Sequence, residues 1–215
     1  MKTTLYLVRH GESEANQRDA FLGHLDLALT EIGRAQAGRS RDFLLANAER
    51  PTAIYASDLS RAYETAKCTA DALGMPITKE EGLREIEAGL WENQPFLKLA
   101  EAYPESYRIW REDIGRACPD SGESVSALWA RILQKITQIA RAHAGETVYI
   151  FSHGTPIRSF AAHCFGKKCE ELKDVPWPAN ASVTKAVYED GSFTMVDYNR
   201  YDFMGEIATV LPPTT

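Results

Sequence analysis

Short apolar runs rich in β-branched and aromatic residues alternate along the chain with stretches whose apolar positions recur every three or four residues. That alternation predicts an α/β domain built on a largely parallel sheet. Residues 4–8 predict the first strand and residues 53–56 a second; residues 147–151 predict an interior strand, because their apolar run has no polar alternation. Thr30 is placed to cap a helix running to Asn47. Ser57 or Asp58 is expected to cap the next helix, which should end near Leu73, since Gly74 suits a left-handed terminus and Pro76 cannot continue a helix. Val125, Leu128, Ile132, Ile136, Ile139 and Ala140 form one stripe of a long helix that Gly145 ends. Residues 182–188 and 193–198 flank Glu189-Asp190-Gly191, a hairpin signal, and Pro212 and Pro213 predict a frayed end.

Residues 86–123 are the least periodic part, rich in Glu, Trp, Tyr and Pro, with one or two helices expected between Pro95 and Glu112. Their expected place is an insertion over the sheet edge, serving as a lid or as a structural cap. No repeat, linker or composition shift divides the chain. Its 215 residues, 44% of them hydrophobic, are therefore expected to form a single domain.

Charge narrows the range of partners. A net charge of -6 gives no overall attraction for nucleic acid or an anionic membrane, so an anionic ligand must be met by a local cluster of cations. The apolar start of the chain is cut short by Arg9, too early for the core of a secretion signal, and no apolar run approaches the roughly 20 residues of a membrane span. A soluble, cytoplasmic protein is the expectation. Cys68, Cys118, Cys164 and Cys169 are then read as reduced thiols; Cys164 and Cys169 beside His163 lack the second ligand pair of a zinc site. No metal and no cofactor is expected.

Three predicted strands run directly into unusual polar residues: Val8 into Arg9-His10-Gly11, Ala56 into Ser57-Asp58 and then Arg61, and Phe151 into Ser152-His153-Gly154. In open parallel sheets ligands bind just beyond the carboxyl ends of the strands, so these segments are expected to converge on one crevice. Two histidines and two arginines suit a phosphoryl group. Guanidinium groups donate paired hydrogen bonds to its oxygens, and an imidazole can attack phosphorus. Gly11 and Gly154 are expected to admit a ligand close to the backbone, with helix N-termini behind them adding donors. Glu85 is a candidate proton donor, because like charge from a bound phosphate favours its protonated form.

Four segments carry a resemblance: Leu7-Val8-Arg9-His10-Gly11-Glu12-Ser13-Glu14-Ala15-Asn16, Ala56-Ser57-Asp58-Leu59-Ser60-Arg61-Ala62-Tyr63-Glu64-Thr65-Ala66, Leu83-Arg84-Glu85-Ile86 and Phe151-Ser152-His153-Gly154. In this order they resemble the histidine phosphatase superfamily, which includes cofactor-dependent phosphoglycerate mutases and many small phosphatases. The resemblance implies a three-layer α/β/α sandwich on a mostly parallel mixed sheet. It implies His10 as nucleophile, Arg9, Arg61 and His153 as holders of the phosphoryl oxygens, Asn16 as a further donor, and Glu85 as acid and then base, with no metal. Gly23 and His24 fall in a loop that borders the substrate in relatives, and with Gly154 they are expected to contact it. Departures from the pattern are Asn93 where relatives often have glycine, Ala28 where proline is usual, and Thr155-Pro156 after the second His-Gly. Ser121 or Ser124 is expected to cap the long helix.

The expected activity is hydrolysis of a small-molecule phosphomonoester through a phosphohistidine. The alternatives are a phosphoglycerate mutase and a non-catalytic binder of phosphorylated ligands; a homodimer is left open. The short stretch between Gly74 and Leu83 favours the phosphatase branch, as do the mainly apolar loops at residues 23–25 and 91–97, expected to frame the pocket.

Overall fold

The computed structural model describes residues 1–210; Pro212 and Pro213 lie outside the described residues. The elements are β1 (Thr3–Arg9), α1 (Glu14–Gln17), α2 (Glu31–Asn47), β2 (Ala53–Ala56), α3 (Ser60–Leu73), β3 (Thr78–Lys79), α4 (Phe96–Ala102), α5 (Pro104–Glu112), α6 (Val125–Ala142), β4 (Thr147–Ser152), α7 (Gly154–Cys164), β5 (Val183–Glu189) and β6 (Ser192–Arg200). Among the described residues they form a six-stranded sheet in the order β3-β2-β4-β1-β5-β6. The first four in that order run parallel, while β5 is antiparallel to β1 and β6 to β5.

Strand geometry sends alternate side chains to opposite faces, and here both faces are apolar. Leu5, Leu7, Val148 and Ile150 pack with Ile132, Ile136 and Ile139 of α6 and with Ile157 and Phe160 of α7. Tyr6, Val8, Tyr149 and Phe151 point the other way, onto Leu44 of α2 and onto Ala66, Ala70 and Leu73 of α3. The expected three-layer sandwich is thus the one observed.

Several local signals behave as the chain suggests. Thr30 caps α2 by accepting from the Gly33 amide, Ser124 caps α6 by accepting from the Ala127 amide, and Gly74 closes α3 at φ 64°. Asp190 and Gly191, both at positive φ, make the tight hairpin turn between β5 and β6. Asn93 sits at φ 58°, the left-handed region that glycine fills without strain and that Asn tolerates better than most residues.

Two expectations need correction. Neither Ser57 nor Asp58 caps α3: its N-cap is Leu59, and the carboxylate of Asp26 accepts from the Ser60 amide and hydroxyl instead, both at 2.7 Å. Asp58 is occupied by an ion pair with Arg84 and Ser57 by a hydrogen bond to His153. Residues 86–123 do supply two helices, α4 and α5, but they do not simply cover a sheet edge. Trp91, Leu99, Tyr107, Trp110 and Ile114 build a second core with the start of α6 and the end of α7, reaching only Met195 and Tyr198 of the edge strand β6. That core stands over the carboxyl ends of the parallel strands, where Phe96 and Trp110 share a cleft with Arg9 and His10.

Candidate active site

His10 follows the last residue of β1, and its backbone is pinned on both sides: its amide donates to Ser152 and its carbonyl accepts from Ala181. Nδ1 lies 2.7 Å from the carbonyl oxygen of Gly11. A carbonyl can only accept, so Nδ1 carries the proton and Nε2 keeps its lone pair. Burial, and then the positive charges of Arg61 and Arg9, hold the His10 pKa well below the usual histidine range. The ring is therefore neutral and nucleophilic at pH 7.

His153 follows β4 at the N-cap of α7, 5.1 Å from His10, centroid to centroid. Its Nε2 lies 2.8 Å from the Ser57 hydroxyl, which itself accepts from the Leu59 amide and so has its proton available for the ring. With the Ser57 hydroxyl donating to Nε2, Nδ1 carries the ring proton, and Nδ1 is buried with no partner. Burial also holds this imidazole neutral, with Arg61 adding to the shift.

The arginines are equally constrained. Arg9 donates from Nη1 to the Pro178 carbonyl at 2.6 Å; Arg61 donates to the carbonyls of Leu25 and Gly23 at 3.0 and 2.7 Å. The Nε of each is buried without a partner. Burial pulls both guanidinium pKa values down to about 10, still high enough for both to be charged at pH 7. Among the described residues, then, His10 is surrounded by three buried donors that nothing in the protein satisfies: Arg9 Nε, Arg61 Nε and His153 Nδ1. A buried donor left unpaired costs about 1–3 kcal/mol, so a cluster of them marks a place for an acceptor.

Asn16 and Glu85 complete the lining. The Asn16 Oδ1 accepts from the Ser13 amide, the Ser13 hydroxyl and Asn180 Nδ2, which fixes the orientation of its amide and leaves Nδ2 as a donor. Glu85 Oε2 accepts from the Thr155 amide in the first turn of α7, and Oε1 from the Ile86 amide. Arg131 holds the segment behind it, donating to the carbonyls of Gly82, Arg84 and Glu85.

Gly154 lines the cleft as expected; His153, wholly buried beside His10, is not among the lining residues, and neither are Gly11, Gly23 and His24. A Cβ on Gly11 would lie 2.3 Å from the Gly33 carbonyl oxygen, so Gly11 admits the start of α2 rather than a ligand. Gly23 packs its backbone on Ile86 and Ala88 and offers its carbonyl to Arg61. His24 donates from Nε2 to the Glu85 carbonyl at 2.9 Å, and the Gly23 and His24 amides are both held by the Glu92 carboxylate. These residues position the site without lining it.

The wall of the cleft also departs from expectation. Of residues 91–97 only Phe96 contributes; Trp91 is fully buried among Phe21, Tyr107 and Trp110. The lining residues missed were Ser13, Asp19, Ala20, Phe21, Leu22, Trp110, Thr155 and Trp177. Ser57 was expected at the crevice and as a cap but not as the partner of His153, and Asn180 was not noticed at all. No group of three or more His, Cys, Asp or Glu side chains is gathered for a metal among the described residues. Burial raises the Cys164 and Cys169 thiols to about 12 and 11, as suits packed, unreactive groups.

Comparison with known proteins gives the family. The sequence model of the histidine phosphatase superfamily (branch 1) matches residues 5–200. The chain belongs to that superfamily. Phosphoserine phosphatase 1 of Hydrogenobacter thermophilus is 33% identical over 162 residues, 75% of this chain and 76% of that protein. The glucosyl-3-phosphoglycerate phosphatase of Mycolicibacterium vanbaalenii is 29% identical over 202 residues, 88% of each. Among solved structures, Bacillus stearothermophilus YhfR superposes with a TM-score of 0.89 at 31% identity, covering 94% of this chain and 99% of that one. The chain is thus an enzyme of a family with phosphatases among its relatives, and among the described residues no helix is long and apolar enough to cross a membrane.

Proposed function

We propose that this enzyme hydrolyses small phosphomonoesters through a phosphohistidine formed on His10. The observation that carries the proposal is the cluster of three unsatisfied buried donors around a neutral imidazole whose free lone pair is on Nε2. Phosphoryl oxygens satisfy Arg9, Arg61, His153 and Asn16, and the two guanidiniums stabilise the charge that builds on those oxygens in the transition state.

In the first step Nε2 attacks phosphorus; the P–O bond to the leaving group breaks as the P–N bond forms, and protonated Glu85 delivers its proton to the departing oxygen. In the second, the Glu85 carboxylate takes a proton from water, the water oxygen bonds to phosphorus, and the P–N bond breaks to release phosphate and neutral His10. Fixed cations supply the field that a metal supplies elsewhere, so chelators should leave turnover unchanged. A requirement for added metal would contradict this.

Hydrolysis is favoured over phosphoglycerate isomerisation by the composition of the wall. A mutase must hold the acceptor's carboxylate, yet Arg9 and Arg61 are the only cationic side chains lining the cleft among the described residues, and both are turned to the phosphoryl site. The test is rapid-quench labelling with a phosphomonoester, scored together with free phosphate and with 2- and 3-phosphoglycerate interconversion. An acid-labile, base-stable label that vanishes in His10→Ala, with phosphate exceeding isomer, supports the reading. Near-normal turnover by His10→Ala would sink the nucleophile; primed isomerisation with little free phosphate would sink the hydrolase.

A further inference from the structure

The floor of the cleft carries the chemistry and the wall selects the leaving group. Phe21, Phe96, Trp110 and Trp177 give that wall an aromatic surface, in which Phe21 meets Trp110 at 4.8 Å and Trp110 stacks on Trp177 at 6.3 Å between centroids. One wall residue is charged. We propose that Asp19 sets the charge selectivity of the cleft, so that the favoured substrates are phosphomonoesters of flat, apolar leaving groups carrying no second negative charge. This deepens the phosphatase reading and rests on it.

Asp19 is held in place at the mouth. Its φ is 48°, its amide donates to the Asn16 carbonyl, and its carbonyl accepts from the Phe96 amide at 3.0 Å. The backbone is thereby tied both to α1, which carries Asn16, and to α4, which carries the aromatic Phe96. The carboxylate itself has no hydrogen bond or ion pair among the described residues. Its neighbour Arg18 does not neutralise it: that guanidinium donates to the Glu14 carbonyl and to Asn93 Oδ1.

Once a phosphoryl group has engaged Arg9 and Arg61, no cation of the lining remains for a second anion. Asp19 then repels one. A like charge about 7 Å away, at an effective dielectric between about 40 and 80, is disfavoured roughly three- to eightfold. Salt should shrink the effect, since the carboxylate is exposed.

Three aryl phosphates with para substituents CH2COO−, CH2OH and CH2NH3+ test this, because the methylene leaves the leaving phenol nearly constant while the charge changes. The wild-type kcat/KM should fall roughly three- to eightfold from the neutral to the anionic ester, with the cationic ester at least equal to the neutral one. Asp19→Asn, which tolerates the left-handed backbone, should bring the anionic-to-neutral ratio close to one. Asp19→Gly, which removes the charge and the φ strain together, should do the same. A ratio unchanged in both variants overturns the proposal while leaving phosphate release intact. Failure of the phosphatase reading looks different: no phosphate from these esters or from 4-nitrophenyl phosphate, in wild type or variant, overturns both.

Discussion

Acidification should destabilise this protein earlier than its carboxylates alone require. His10 and His153 are both held neutral in the folded state, chiefly by burial and then by Arg61 and Arg9, whereas in the unfolded chain each titrates near 6.5. Below that pH the unfolded state binds protons that the folded state refuses. Stability therefore rises with pH through this window and falls as pH drops from 6.5 towards the depressed folded values. One proton per group corresponds to about 1.4 kcal/mol per pH unit, so the pair sets a limiting slope of about 2.7 kcal/mol per unit. His163, also lowered by burial, adds a smaller part. Denaturant unfolding at pH 7.0, 6.5, 6.0 and 5.5 measures the slope while most carboxylates stay ionised. His153→Gln removes one of the two groups and should reduce the slope by about 0.8 kcal/mol per unit on average over this range, approaching about 1.4 only towards its acid end, whatever its stability at pH 7. Parallel pH dependences for wild type and variant would refute a neutral, buried His153 and undercut the same argument for His10. In turnover, the acid limb of kcat/KM reports loss of the neutral nucleophile and should lie below the ordinary histidine range.

Three further outcomes follow from individual contacts. Glu85→Gln should slow alkyl phosphates far more than 4-nitrophenyl phosphate, on the order of a hundredfold against a few-fold, because only the poor leaving group needs the proton; equal losses would remove Glu85 from that role. Ser57→Ala deletes the hydroxyl on His153 Nε2, leaving a buried nitrogen unpaired; stability should fall by about 1–3 kcal/mol and kcat by about tenfold, read by denaturation and steady-state kinetics, whereas an unchanged kcat would show that Ser57 does not set the tautomer. In Gly33→Ala the new Cβ would lie 2.0 Å from the Glu12 carbonyl oxygen, so α2 must move away from the loop that carries His10; phosphate release should fall at least tenfold, and a fully active variant would contradict that coupling.

What could be read from the sequence divides along a physical line. The strand runs were legible because interior strands advertise themselves locally: Leu5 and Leu7 face one layer, Tyr6 and Val8 the other, and nothing about their partners is needed to infer that both sides are covered. The residues proposed to meet the phosphoryl group were legible because β1, β2 and β4 run parallel and deliver Arg9-His10, Ser57 and His153 to the same side. The cap of α3 was misread because local preference for Ser57 or Asp58 competes with distant demands. His153 claims Ser57, Arg84 claims Asp58, and Asp26 takes over the helix end. No window of sequence contains those three alternatives together.

The wall of the cleft was hidden for a related reason. Trp91 and Trp110 both fall in the least periodic part of the chain, yet Trp91 is enclosed by Phe21, Tyr107 and Trp110 with its indole N–H on Asp120, whereas Trp110 also presents surface to the cleft. Trp177 reaches the same wall from a loop whose next residue, Pro178, supplies the carbonyl that orients Arg9. Arg158, buried under Trp177 with its guanidinium 4.2 Å from the ring centroid, donates to the Val175 carbonyl and so steadies that loop. One short segment therefore joins the aromatic wall to the proposed phosphoryl site: a change at Trp177 that shifts its backbone also moves the acceptor holding Arg9. Trp177 variants should consequently alter kcat as well as KM, while changes at Phe96, which does not touch the arginines, should be confined largely to KM.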